Sequence, residues 1–199
     1  LIADSAEEIL SHMILTYHPR LALACSFQKE DSVLIDMALS LEPEIKIFTI
    51  DTGELFPETY RTWEKIEDHY DIVIEDYAAF GKWTKDNCCS NSKIAALDTA
   101  LENVDGWITG LRREQAPTRT NTPKLDFDDQ RNVWKAAPLA DWTEEQVWEY
   151  INERGLPYNL LHNEGYDSIG CAPCTIAGAG REGRWVGSDK IECGIHSVI

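Results

Sequence analysis

The chain has 199 residues and carries 35 acidic against 18 basic side chains, a formal net charge of −17 at pH 7. Such a surface repels polyanions, so general nucleic-acid binding is excluded, and an anionic ligand must be small and met by locally gathered cations. No run of about eighteen apolar residues occurs, so nothing reads as a membrane span. The length and the 43% hydrophobic content suit a single domain with a real core. The start, Leu1-Ile2-Ala3-Asp4, has no signal-peptide pattern and no initiator Met, which reads as a trimmed chain of the cytoplasm.

The elements follow in chain order. Ser5-Ala6-Glu7-Glu8 is a capping box that opens an amphipathic helix to about Tyr17. Leu21–Ala24 reads as a short buried strand. The loop Cys25–Ser32 follows, then a helix from Val33 to about Leu39. Ile45–Ile50 is a β-branched strand that ends on Asp51-Thr52-Gly53. Pro57 sets the first turn of a helix to about Tyr70. Ile72-Val73-Ile74 is expected to form a third strand. Cys88-Cys89 precede or open a helix through Lys93 to Leu101. Gly106–Gly110 forms a fourth strand, Val133–Ala137 a fifth, and Thr143–Gln146 caps a last helix that stops at Gly155. Strands alternating with helices imply a doubly wound, mostly parallel α/β sheet, in which ligands bind beyond the carboxyl ends of the strands. Three loops leave such ends: Ser26–Ser32, Asp51–Gly53 and Gly110–Arg119. The first lies between a strand and a helix N-terminus, a place for an anion or simply a polar capped turn. The stretch from Gly110 to Lys124 holds four basic residues (Arg112, Arg113, Arg119 and Lys124) and one acid, the reverse of the whole-chain balance.

The six cysteines divide by position. Cys88-Cys89 and Cys171-Ala172-Pro173-Cys174 are two pairs, and four thiolates suit zinc or an iron–sulfur cluster. Cys193 stands apart in Glu192-Cys193-Gly194-Ile195-His196, a polar tail that suits a mobile nucleophile. Cys25 reads as a small buried hydrophobe, and His12, His18 and His69 show no metal spacing.

The ordered set of motifs resembles one family. Ser26-Phe27-Gln28-Lys29-Glu30-Asp31-Ser32, Asp51–Thr59, Thr109–Gln115 with Thr118-Arg119, Pro157–His162, Gly165–Thr175, Arg181–Trp185 and Lys190–His196 are similar to the assimilatory sulfonucleotide reductases. These carry the adenine-nucleotide α-hydrolase (PP-loop-like) fold, and the similarity runs over most of the chain. The resemblance implies that Cys193 attacks the sulfur of adenylyl sulfate, forms an S-sulfocysteine and releases AMP. Thioredoxin then discharges sulfite. It implies a 4Fe–4S cluster on Cys88, Cys89, Cys171 and Cys174, and substrate contacts at Ser26, Gln28, Asp31, Ser32, Lys93, Arg112, Arg119, Arg181, Arg184 and His196. Family members with both cysteine pairs typically use adenylyl sulfate and members without them typically reduce its 3′-phosphorylated form; the alternatives are a reductase of the 3′-phosphorylated form or of both, and a non-catalytic metal-binding module. Residues 1–180 are expected to form the nucleotide-binding domain and 181–199 the catalytic tail. The family also tends to associate as homo-oligomers. Ala116 stands where Ser is common in the family, and Cys174 to Arg181 is short and Gly-rich, which leaves the placement of Arg181 open.

Overall fold

The structure is a computed structural model that describes residues 5–79, 91–187, 192 and 195. Helix α1 (Ala6–Tyr17) opens on the foreseen box, in which Glu8 N–H donates to Ser5 Oγ and Ser5 N–H to Glu8. Strand β1 (Leu21–Cys25) leads to α2 (Lys29–Leu41), β2 (Lys46–Asp51) to α3 (Pro57–Tyr70), and β3 (Glu75–Ala78) precedes α4 (Asn91–Leu101). After β4 (Gly106–Ile108) two 3₁₀ turns lead to the hairpin β5 (Leu125–Asp128) and β6 (Val133–Ala136), and α5 (Glu144–Arg154) follows. The strands form one six-stranded sheet ordered β3-β2-β1-β4-β6-β5, parallel except for the β5–β6 pair.

Alternation along the strands assigns the two faces. Leu21, Leu23 and Cys25 join Ile47 and Ile108 under α1, α2, α3 and α5, where Leu10, Met13, Leu34 and Ile66 are fully buried. Ala22, Phe48 and Trp107 face the other way and are covered by Leu97, Ala100 and Leu101 of α4. The chain runs outward from β1 to β2 and β3, then returns to the other side of β1 as β4. The carboxyl ends of β1 and β4 therefore flank the topological switch point, where the crevice of such a sheet opens.

Three elements differ from expectation. The third strand is Glu75–Ala78 rather than Ile72–Ile74. Asp71 takes the left-handed cap of α3, and the N–H groups of Ile72 and Ile74 turn back to Glu67 instead of entering a ladder. Ile74 is buried only as a plug, and the paired residues lie on an exposed sheet edge without the apolar signature of a core strand. Helix α2 begins at Lys29, one turn before Val33, because its polar first turn (Lys29 to Ser32) is itself buried. Strand β5 was not foreseen; Leu125-Asp126-Phe127-Asp128 has acids at alternate positions and is the outermost strand. Residues 181–187 contact the segment before them: Trp185 N–H donates to Cys174 O at 2.8 Å and Arg184 bridges to Thr175.

Candidate active site

A cleft opens at the switch point. Its walls come from the end of β1 (Ala24 to Asp31), from Thr49 and Ile50 of β2, from Thr109–Leu111 after β4, and from Ile169–Cys171. Among the described residues four cations line it, Lys93, Arg119, Arg181 and Arg184, against two acids, Glu30 and Asp31. In a chain of net charge −17 this is the local reversal of sign that a small anion requires.

The loop after β1 builds one wall. Asp31, on the first turn of α2, accepts from Ser26 N–H at 2.7 Å, Ser26 Oγ–H at 2.8 Å and Gln28 N–H at 3.4 Å. The loop's N–H groups therefore serve an internal carboxylate that holds its shape. Burial pushes the Asp31 carboxyl up to about 6 against the opposing bonds from Ser26. Phe27 holds a left-handed φ of 61° at the turn, a strained conformation supported by its burial and its stack on Trp63. Gln28 Oε1 accepts from Ile169 N–H at 2.9 Å and so ties the loop to the Cys171 segment. Across the cleft Gly110 lies so close that an added Cβ would sit 2.7 Å from Asp31 Oδ1. Only a glycine admits that approach.

The expected contacts divide in three. Ser26, Gln28, Asp31, Lys93, Arg119, Arg181 and Arg184 meet at the cleft. Arg181 reaches it despite the short Gly-rich stretch before it, and the guanidinium carbons of Arg181 and Arg184 lie 5.0 and 4.6 Å from the centroid of the Trp185 ring. Ser32 and Arg112 do not line it. Ser32 is buried behind the loop with an unpartnered hydroxyl. Arg112, 2% exposed, lies between Glu30 and Glu144, its guanidinium hydrogen-bonded inside the protein. The resemblance implies both as ligand contacts; in this structure both side chains are buried outside the cleft lining. Cys88, Cys89, Cys193 and His196 lie outside the described residues.

Cys171 and Cys174 close one end of the cleft on a 3₁₀ turn, packed with Trp185, Leu55 and Ile195. The Cys171 thiol is drawn down to about 6, first by the Cys174 sulfur and then by Lys93, the Thr52 hydroxyl (3.3 Å) and Arg184, against its burial. A soft donor pair, with Cys171 favoured as thiolate, in an apolar shell beside cations, fits half of a four-cysteine cluster site. Cys25 is buried, and burial raises its thiol well above the usual range.

Glu192, named above only as part of a motif, also belongs to the site. Its carboxylate is inside the cleft wall, with Oε2 accepting from Arg119 Nε at 3.0 Å and Oε1 from Arg119 Nη2 at 2.7 Å and Arg181 Nη2 at 2.6 Å. The signal in the sequence is slight: one acid next to Cys193 in a chain with arginines gathered at 112–119 and 181–184.

Behind the cleft His162 is held by two backbone groups. Nε2 accepts from Lys29 N–H at 3.3 Å, so in the neutral ring Nδ1 carries the proton toward Tyr166 O at 2.7 Å. Burial, then the Lys29 charge, lower its pKa to about 4. The fold therefore holds it neutral. That contribution is complete above the unfolded value of about 6.5 and is lost as pH falls through 6.5 toward 4, because the unfolded chain binds the extra proton there. Asp31, raised by the fold, pulls the other way over the same range, so the His162 contribution is read as a difference: wild type should lose of order 2–3 kcal/mol more than His162→Gln across that window in denaturant titrations. An equal slope in both proteins would assign the loss elsewhere.

Comparison with known proteins matches this geometry. A profile of the phosphoadenosine phosphosulfate reductase domain covers residues 20–177. The chain belongs to the sulfonucleotide reductase family. An adenosine 5′-phosphosulfate reductase of Geobacillus kaustophilus is 41% identical over 96% of this chain and 89% of its own length. Among solved structures, a phosphoadenylyl-sulfate reductase from Candida auris superposes with a TM-score of 0.74 at 26% identity, covering 88% of this chain and 92% of that one. The fold alone is shared with an FMN adenylyltransferase of Candida glabrata, at TM-score 0.69, 15% identity, and coverage of 86% of this chain and 61% of that one. Reductase and adenylyltransferase have the PP-loop-like nucleotide fold in common, and this chain has it too. Among the described residues no helix is long and apolar enough to cross a membrane.

Proposed function

We propose that this chain reduces adenylyl sulfate to sulfite and AMP in sulfate assimilation, with Cys193 as nucleophile and thioredoxin as reductant. The observation that carries the reading is the cleft itself: four cations among the described residues at the switch point of an acidic protein, two of them bonded to Glu192, the sequence neighbour of Cys193. The 41% identical relative named for adenosine 5′-phosphosulfate, together with two cysteine pairs, supports the unphosphorylated 3′ position.

The steps balance without an outside oxidant. The Cys193 thiolate attacks the sulfonate sulfur, an S–S bond forms, the S–O bond to the phosphate breaks, and AMP leaves with the electron pair. A dithiol then attacks the cysteine sulfur and expels sulfite. The dithiol becomes a disulfide while the transferred sulfur is reduced by two electrons. Arg181, Arg184 and Lys93 supply positive charge where the leaving phosphate gains negative charge. A 4Fe–4S cluster on Cys88, Cys89, Cys171 and Cys174 would supply a fixed charge centre beside Lys93 that tunes this field. The chain's own residues bind the nucleotide, orient it and deliver the thiolate.

Anaerobic protein incubated with adenylyl sulfate, without reductant, should gain one sulfonate by intact-protein mass spectrometry. Peptide mapping should place it on Cys193, and thioredoxin should release it as sulfite. An adduct with the 3′-phosphorylated nucleotide only would move the substrate assignment to that form. No adduct with either would overturn the reading.

A further inference from the structure

We propose that Glu192 is a positioning residue, which anchors the catalytic tail over the cleft by its ion pair with Arg119 and Arg181. The role of Cys193 that gives this anchor its purpose rests on the function proposed above. The anchor itself rests on contacts in this structure.

Glu192 is nearly buried, with its side chain 7% exposed, and those of Arg119 and Arg181 are 9% and 11% exposed. A carboxylate so enclosed is stable only when fully paired. Here it is bidentate with the Arg119 fork, bonded to Arg181, and within 3.3 Å of the Thr118 hydroxyl. Arg119 is itself fixed, since its third nitrogen donates to Gln115, whose amide in turn donates to Gly110 O at 3.1 Å. The pair is thus pre-organised by the loop after β4, and little is left for the tail to order when it docks.

A second contact lies on the other side of the nucleophile. Ile195 lines the cleft and packs against both the Cys171–Cys174–Trp185 cluster and the apolar face under α4. Residues 192 and 195 are three residues apart, a span of at most roughly 11 Å. Cys193 is the residue next to the ionic anchor and two before the apolar one. The tail is therefore pinned at both ends of the segment that bears the thiol.

The anchor does not neutralise the site. One carboxylate against two guanidiniums leaves one positive charge on the pair, and Arg184 and Lys93 add two more; of the two acids that also line the cleft, Glu30 is balanced by Arg112 and Asp31 takes one charge back. An incoming phosphosulfate still meets net positive charge. The two guanidiniums facing Glu192 also offset the field by which its charge would disfavour a neighbouring thiolate.

The test has a readout that needs no substrate. Glu192→Gln keeps the shape and removes the charge, so limited trypsin digestion after Lys190 should accelerate at least about tenfold at an unchanged melting temperature, the equivalent of about 1.4 kcal/mol of lost docking. Glu192→Asp should recover part of the protection. In an Arg119→Gln background the Glu192→Gln change should add little, because both act through one pair. With adenylyl sulfate the rate of adduct formation should fall about tenfold or more, while nucleotide affinity stays level or tightens. Equal digestion rates in wild type and Glu192→Gln would overturn the anchor. So would parallel losses of nucleotide affinity, melting temperature and rate. Failure of the wild type to form any adduct would sink the proposed reaction, yet the digestion result would still decide the anchor.

Discussion

Replacing Cys193 with serine is expected to lower turnover of adenylyl sulfate by at least ~10³-fold while leaving nucleotide binding within about twofold of wild type. The reason lies in the sulfur. A thiol near neutral pH has an accessible thiolate, whereas a serine hydroxyl has none unless a base is built beside it. Even if serine were sulfonated, the product would be a sulfate ester, and thiol exchange needs a sulfur–sulfur bond to attack. The serine variant therefore fails at both halves of the cycle. Its cleft is untouched, since Lys93, Arg119, Arg181 and Arg184 stay where they are. Nucleotide binding without adduct formation is the combined result expected, read by equilibrium binding and intact mass on the same sample. Turnover within tenfold of wild type would remove Cys193 from the chemistry.

The amino-acid sequence discloses what is local and hides what depends on distant partners. The alternation of strands and helices, the capping boxes at Ser5 and Thr143, and the stop at Gly155 are local signals; all appear in the structure. They were enough to locate the switch point, and so the cleft. Local signals fail where burial depends on distant partners. Ile72–Ile74 has the composition of a strand, but Glu67 takes two of its N–H groups. Lys29 to Ser32 looks like a solvated loop, yet it is a buried helical turn because Arg112, Glu144 and His162 approach from positions more than eighty residues away. Arginines show the same limit. Arg112, Arg119, Arg181 and Arg184 are equivalent as letters, and only the packing separates the first from the three that reach the cleft.

Arg112→Met is expected to destabilise the protein by about 3–5 kcal/mol, the range for breaking a buried ion pair by removing one partner. The guanidinium is 2% exposed and its donors are satisfied within the protein. Nε donates to Glu30 Oε1 at 2.9 Å, Nη1 to Trp142 O and Glu114 Oε2 at 3.1 Å each, and Nη2 to Glu144. Glu30 is 3% exposed; burial would raise its pKa, yet Lys29 and Arg112, with a bond from Gln115, hold it below the usual carboxylate range. Without Arg112 that charge keeps only part of its compensation. For a chain of this length the melting temperature should fall by roughly 10 °C, at about 2–4 °C per kcal/mol. The double variant Arg112→Met, Glu30→Gln removes the charge left unpaired and should recover a part of the loss, a coupling that a surface arginine would not show. The same measurements separate the two places this residue can occupy. If it contacted substrate, as its loop position suggests, the methionine variant would melt as wild type does and bind nucleotide far more weakly. If it holds α2, α5 and the loop after β4 together, the melting temperature falls first. Gln115, whose Oε1 accepts Arg112 N–H at 3.0 Å and which also bonds to Arg119, would then transmit the loosening to the anion site.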